Sequence, residues 1–329
     1  MDTRIWSRIL SAGVTLAFIA GCSGNSGSLN PSQAAAPAGG FRILPGPLVS
    51  GPILVPLVAP RRAAIRPAHT RRHETLFVAD LFNSIVDMYD PRTPNPTPIG
   101  SITTGISSPA GLAVQKGGTL YVSNIGNSTL TVYPKGQTSP SVTITNGVSG
   151  PYGMALDSKG DVFISNLNNN TVVGYMAGQT SPFESIDFSS LGQPVGVAVD
   201  ASDNVWVACD SSNAVFEIPA GTSTPQNANL TGLAGPIGIS FGKQDEMYVS
   251  NFSGNVVNVY AYGTTTPAQT ITSGMNGPTL NAITFTGAFF QSNQSVNAEG
   301  YHRNQTSPFS TITGLGDPLG IAEAPPVRK

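Results

Sequence analysis

PYGMALDSKGDVFISNLNNNTVVGYMAGQTSP, residues 151–182, decides how this chain folds. It reads as three short alternating runs, GMALD, VFISN and TVVGYM, parted by SKGD and NLNNN, with AGQTSP leading to a fourth run, FESIDF. Alternating apolar residues suit half-buried antiparallel strands, and Gly, Asp, Asn and Pro clusters between them suit hairpins. The same sentence recurs from Pro109 as PAGLAVQKGGTLYVSN…TLTVYPKGQTSP, and Pro194, Pro236 and Pro278 open further copies. Successive opening prolines are 42, 43, 42 and 42 residues apart. A fixed period of this size, filled with short strands, points to the blades of a propeller.

The spacing holds inside each copy. From the opening proline to the second-strand aromatic is 12 residues at Tyr121, Phe163, Trp206 and Tyr248, and 11 in the fifth copy, at Phe289. From that aromatic to the end of the third strand is 12 again, at Tyr133, Tyr175, Ile218, Tyr260 and Tyr301. The two ends make a sixth unit: LFVAD, SIVDMY and PIGSITT within 76–104 supply strands two to four, and PLGIAEAP from Pro318 supplies the missing first strand. The expected fold is all-β, a six-bladed β-propeller of four-stranded antiparallel blades over residues 74–329. Pairing of the C-terminal strand into the first blade closes the ring and removes free sheet edges.

The N-terminal region has another composition. Arg4 and Arg8 precede an apolar run, Ile9 to Ala20, and small residues end at Cys22, which predicts an export signal over residues 1–21. Ile19-Ala20-Gly21-Cys22 resembles the lipobox of bacterial lipoproteins, which implies lipidation of Cys22 and anchoring in the cell envelope, on the outer membrane or periplasmic side. Residues 22–73 are Ser/Gly-rich and then proline-interrupted, with Pro45, Pro47, Pro52, Pro56 and Pro60 opposing a regular helix. They read as a tether, six arginines strong and without Asp or Glu, whereas residues 74–329 hold 8 Lys/Arg against 17 Asp/Glu. An acidic head argues against nucleic acid, because phosphate contacts need a basic face. Cys209 has no second cysteine to pair with once Cys22 is lipidated, so the head must hold without an internal disulfide. A monomer is expected.

The pattern P-x-G-h-A-h-D-x-x-G-x-h-Y-V-S/A-N/D, with h apolar, resembles the NHL repeat and, more widely, the six-bladed propellers of the gluconolactonase and streptogramin lyase groups. In such propellers the loops entering strand one and joining strands two and three share the channel face. That implies a ring of Asp80, Asn124, Asn166, Asp210, Asn251 and Ser292, joined by Tyr152 and Asn281, able to bind a peptide, protein or glycan group. The same Asn and Asp residues also suit turn-stabilising roles. Lyase-like chemistry would imply histidines on this face, but His69 and His73 lie in the tether and His302 follows a third strand. Lactonase-like chemistry would imply a divalent metal with a glutamate ligand, and no Glu maps there. The expectation is a membrane-anchored, non-catalytic binding or scaffold module with no cofactor and no metal. The alternative is a divergent metal-dependent lactone hydrolase or a streptogramin-lyase-like enzyme.

Overall fold

The structure is a computed structural model and describes residues 74–294 and 296–324. The expected signal peptide, Cys22 and the tether lie outside the described residues. Blade 1 contains β1 (Thr75–Asp80), β2 (Ile85–Tyr89) and β3 (Gly100–Ile102). Blade 2 contains β4 (Pro109–Val114), β5 (Leu120–Asn124), β6 (Thr129–Tyr133) and β7 (Val142–Ile144). Blade 3 contains β8 (Pro151–Leu156), β9 (Val162–Asn166), β10 (Thr171–Tyr175) and β11 (Glu184–Asp187). Blade 4 contains β12 (Pro194–Val199), β13 (Val205–Cys209), β14 (Ala214–Ile218) and β15 (Gln226–Asn227). Blade 5 contains β16 (Pro236–Phe241), β17 (Met247–Asn251), β18 (Val256–Tyr260) and β19 (Gln269–Ile271). Blade 6 contains β20 (Pro278–Ile283), β21 (Phe289–Asn293), β22 (Asn297–Tyr301) and β23 (Ser310–Ile312). The last strand, β24 (Pro318–Ala324), pairs antiparallel with β1 and completes blade 1, as the sequence predicts.

Each proline-led strand is innermost in its sheet, and β24, β4, β8, β12, β16 and β20 pack in succession around a central axis. Close approach there explains the repeated P-x-G. A Cβ on Gly153 would lie 2.3 Å from the Val195 carbonyl oxygen, and one on Gly196 would lie 2.0 Å from that of Ile237. Serines tie the same layer: Ser123 Oγ accepts from the Gly111 amide and donates to the Tyr152 carbonyl of the next blade, and Ser165 does the same with Gly153 and Val195. Apolar clusters fill every junction between blades, for example Ala113, Leu130, Met154 and Ile164 between blades 2 and 3.

One register differs from the sequence reading. Ala113, Ala155, Ala198 and Ser240 stand opposite Tyr121, Phe163, Trp206 and Tyr248, and the matching partner of Ala282 is Phe290, one place beyond Phe289. Blade 6 therefore keeps the 12-residue interval and loses its residue later. Asn124 pairs with Thr129, five residues on, while Asn293 pairs with Asn297, four on. The shortening lies between β21 and β22 and leaves the pairing of both strands in place.

Candidate functional site

On the face carrying the loops that enter strand one, the asparagines ending the second strands hold those loops. Asn124 Oδ1 accepts from the Ser107 amide at 3.0 Å, Asn166 Oδ1 from Ser149 at 2.9 Å, and Asn251 Oδ1 from Ala234 at 2.9 Å. Their amide groups donate inward as well, Asn124 to Thr131 Oγ1 and Asn166 to the Gly147 carbonyl. All three are fully buried. Asp80 does the same work in blade 1, where its carboxylate accepts from the amides of Asn83, Gly316 and Asp317 and from Asn83 Nδ2. The fourth asparagine of the set is Asn293, which the one-residue misalignment replaced with Ser292. Asn293 Oδ1 accepts from Asn276 at 3.1 Å, whereas Ser292 is buried with no hydrogen-bond partner at Oγ. The signal that finds Asn293 is its place 15 residues after an opening proline, shared with Asn124, Asn166 and Asn251.

Inside this ring of ties the axis is plugged. Ala110, Tyr152, Val195, Ile237 and Leu319 from the innermost strands meet Leu81, Ile125 and Leu167 from the turns after the second strands in one apolar cluster. Tyr152 is only 2 % exposed, and burial, followed by the nearby Asp317 and Asp210 carboxylates, drives its phenol far above the ordinary range. Asp210 is half-buried beside the Gly235 turn. The eight sequence-derived positions are thus not gathered on one open surface. Asn281 lies deeper, on the wall of the central channel.

That channel forms a cavity of about 260 Å³ lined by the second halves of all six innermost strands. Its lining runs on, through Val114, Phe241, Ile283 and Glu323, into a neighbouring hollow walled by Lys116, Lys243 and Phe285. These belong to the turns between strands one and two, on the face opposite the plug. The walls are unequal. In blades 2, 3 and 4 the lining is apolar: Leu112 and Val114, Met154 and Leu156, Val197 and Val199. From the adjacent strands β16, β20 and β24 come Ser240, Asn281 and Glu323. Each carries a buried oxygen without a hydrogen-bond partner among the described residues: Ser240 Oγ, Asn281 Oδ1 and Glu323 Oε1. Glu323 corrects the expectation that no glutamate maps to the channel, because the closing strand β24 brings it to the wall.

Blade 6 departs furthest from the repeat. The cross-strand pairs Leu112–Val122, Met154–Ile164, Val197–Val207 and Ile239–Val249 have Asn281–Gln291 as their counterpart. Asn281 Nδ2 donates to Ser250 Oγ, which donates to Gln291 Oε1, both at 2.6 Å. Leu280 replaces the axial glycine of the other copies. Glu323, the other polar outlier, accepts a hydrogen bond from the Phe285 amide. Burial pushes its carboxyl up to about 7, reinforced by Glu74 and opposed by that bond, Arg92 and Lys243.

The remaining candidates sit elsewhere. His302 stacks on Phe309 at 4.1 Å in a hollow between blades 6 and 1, on the face where the channel opens but not on its wall. Cys209 is buried, and burial raises its thiol well above the usual range, so it is an inert occupant of the asparagine position in blade 4. Among the described residues no group of three or more His, Cys, Asp or Glu side chains is placed to hold a metal ion. No helix of the described residues is long and apolar enough to cross a membrane.

No protein-family model and no curated protein sequence matches the chain. Solved structures do resemble it. A nidogen/laminin complex matches with a TM-score of 0.65 at 13 % identity, over 77 % of this chain and 98 % of that one. A protein of unknown function from Bacteroides caccae matches with a TM-score of 0.62 at 9 % identity, over 76 % and 98 %. A streptogramin B lyase matches with a TM-score of 0.56 at 15 % identity, over 75 % and 86 %. At these identities the likeness establishes the propeller fold and carries no activity across.

Proposed function

We propose that this chain is an exported, lipid-anchored propeller that acts as a non-catalytic binding module, taking a peptide or glycan group into its central channel. One observation carries the reading: a cavity stopped at one end by an apolar plug and lined on one side by polar groups that the protein leaves unsatisfied. Buried unpaired polar atoms are costly, and a ligand that pairs them offsets that cost. The lipobox-like residues before Cys22 and the tether support presentation of the head at a membrane. The purified full chain, probed against arrays of envelope peptides and glycans, is expected to capture a defined subset through Asn281 and to lose it in Asn281→Ala. Capture that survives this change removes the channel from the proposal. Palmitate labelling in a bacterial host is expected, and is expected to vanish in Cys22→Ala.

A second reading, a lyase or lactone hydrolase, is favoured by Glu323, whose carboxyl titrates near 7 as a general base does. Incubation with a streptogramin B antibiotic and with simple lactones, followed by mass spectrometry, distinguishes the two. Ring opening that disappears in Glu323→Gln replaces the binding module with the enzyme.

A further inference from the structure

We propose that the channel binds an alkylammonium group, with its methylene chain against blades 2 to 4 and its charged nitrogen against Ser240, Asn281 and Glu323. This rests on the channel-binding reading above and names the chemistry of the ligand.

The first support is the division of the walls. Five of the six innermost strands have an apolar residue three places after their opening proline, Leu112, Met154, Val197, Ile239 and Ile321, and the sixth has Asn281. One place further on, the residue is alanine in every strand but β16, which has Ser240. Five places after the proline the residue is apolar except in β24, which has Glu323. The three exceptions fall on three neighbouring strands. A cavity apolar on one side and polar on the other suits a ligand divided in the same way.

The second support is the polarity of the unpaired atoms. One N–H of Asn281 Nδ2 is engaged by Ser250 Oγ, while Asn281 Oδ1 and Glu323 Oε1 are acceptors without a partner among the described residues, and an ionised carboxylate only accepts. A donor answers the two acceptor oxygens, and an ammonium brings up to three donors and a charge opposite to that of Glu323. The volume, roughly nine times the ~30 Å³ share of a water molecule, limits the group to a short chain.

Four charged groups act on or border this carboxyl. Glu74 raises its affinity for a proton, Arg92 and Lys243 lower it, and Lys116 lines the adjoining hollow. Lys243 Nζ lies 5.4 Å from the centre of the Phe285 ring, in the hollow that Glu323 also lines. Deprotonation of Glu323 as pH rises through about 7 creates the anionic site, so affinity for a cation increases across that range.

Calorimetric titration of the purified full chain with n-pentylammonium chloride tests this, with 1-pentanol as the uncharged match. Pentylammonium is expected to bind at least tenfold tighter than pentanol, and its affinity to fall at least threefold from pH 8 to pH 6. Glu323→Gln is expected to remove both the preference and the pH dependence, and Ser240→Ala, which deletes a single oxygen, to weaken binding with an unchanged melt. Nα-acetyl-lysine amide separates the sources: tighter binding than pentylammonium marks a peptide side chain, and weaker binding marks a free amine. Equal affinity for alcohol and amine, no binding of either amine, or an unaltered Glu323→Gln overturns the ammonium site. If array capture still depends on Asn281 in that event, the channel stands and only the ligand class falls.

Discussion

A single asparagine in each of four blades shows what the repeat is for. Asn166 spends its carbonyl on the Ser149 amide and its own amide on Gly147, both in the loop entering β8, and on Thr171 at the start of β10. Asn166→Ala strands a half-buried backbone donor and removes a buried amide's bonds, and is expected to cost about 1–3 kcal/mol in urea unfolding. Blade 4 shows that one such tie can be forgone, since Cys209 offers no amide there. The residue type and its period were plain in the sequence, but not the atoms it would engage, because its partner lies 17 residues earlier across a loop of variable sequence. Glu323 is the opposite case. Its carboxyl binds a proton more tightly in the fold than the ordinary value of 4.5, so its favourable contribution is complete at low pH and is lost as pH rises toward about 7. Glu323→Gln should melt progressively higher relative to the parent between pH 4.5 and pH 7, and at a constant offset above that. Parallel melting curves over this interval would show that burial does not tune the group.

At the scale of strands, the axial glycines and the closing strand carry the architecture. Gly153 faces a backbone carbonyl of the neighbouring strand, which cannot withdraw as a flexible side chain would. Gly153→Ala is expected to destabilise the head by about 1–3 kcal/mol, measured by denaturant titration, although its φ is one that alanine readily adopts. Strand β24 supplies blade 1 with its innermost strand and its contact with β4. Truncation after Asp317 should lower the melting temperature of the whole head in a single transition, because the loss opens the ring and exposes the β1 edge. A melt unchanged by that truncation contradicts closure through β24. The closing strand was legible because Pro318 repeats the opening of every other copy. The hairpin between β21 and β22 was not, because Phe289 and Phe290 are adjacent aromatics and only hydrogen-bond register separates them.

For the molecule as a whole, the ring gives its two faces different fates. One end of the axis is stopped by Tyr152 and its apolar neighbours, and the other leads from a two-sided cavity past Glu323 to the 60 % exposed Phe285. The sequence by itself determined six blades, their four strands and their closure, because alternation and turn chemistry are local and repeat with the chain. Of the polar outliers it pointed to Asn281 alone; Gln291 and Glu323 were not singled out, and Glu323 lines the channel where no glutamate was expected. Only the tertiary structure decided which end of the channel is blocked and that Ser240, Asn281 and Glu323 share a wall. Residues about 42 positions apart acquire a common surface only when the innermost strands are brought around one axis, and no local pattern encodes which side chains then fill the centre.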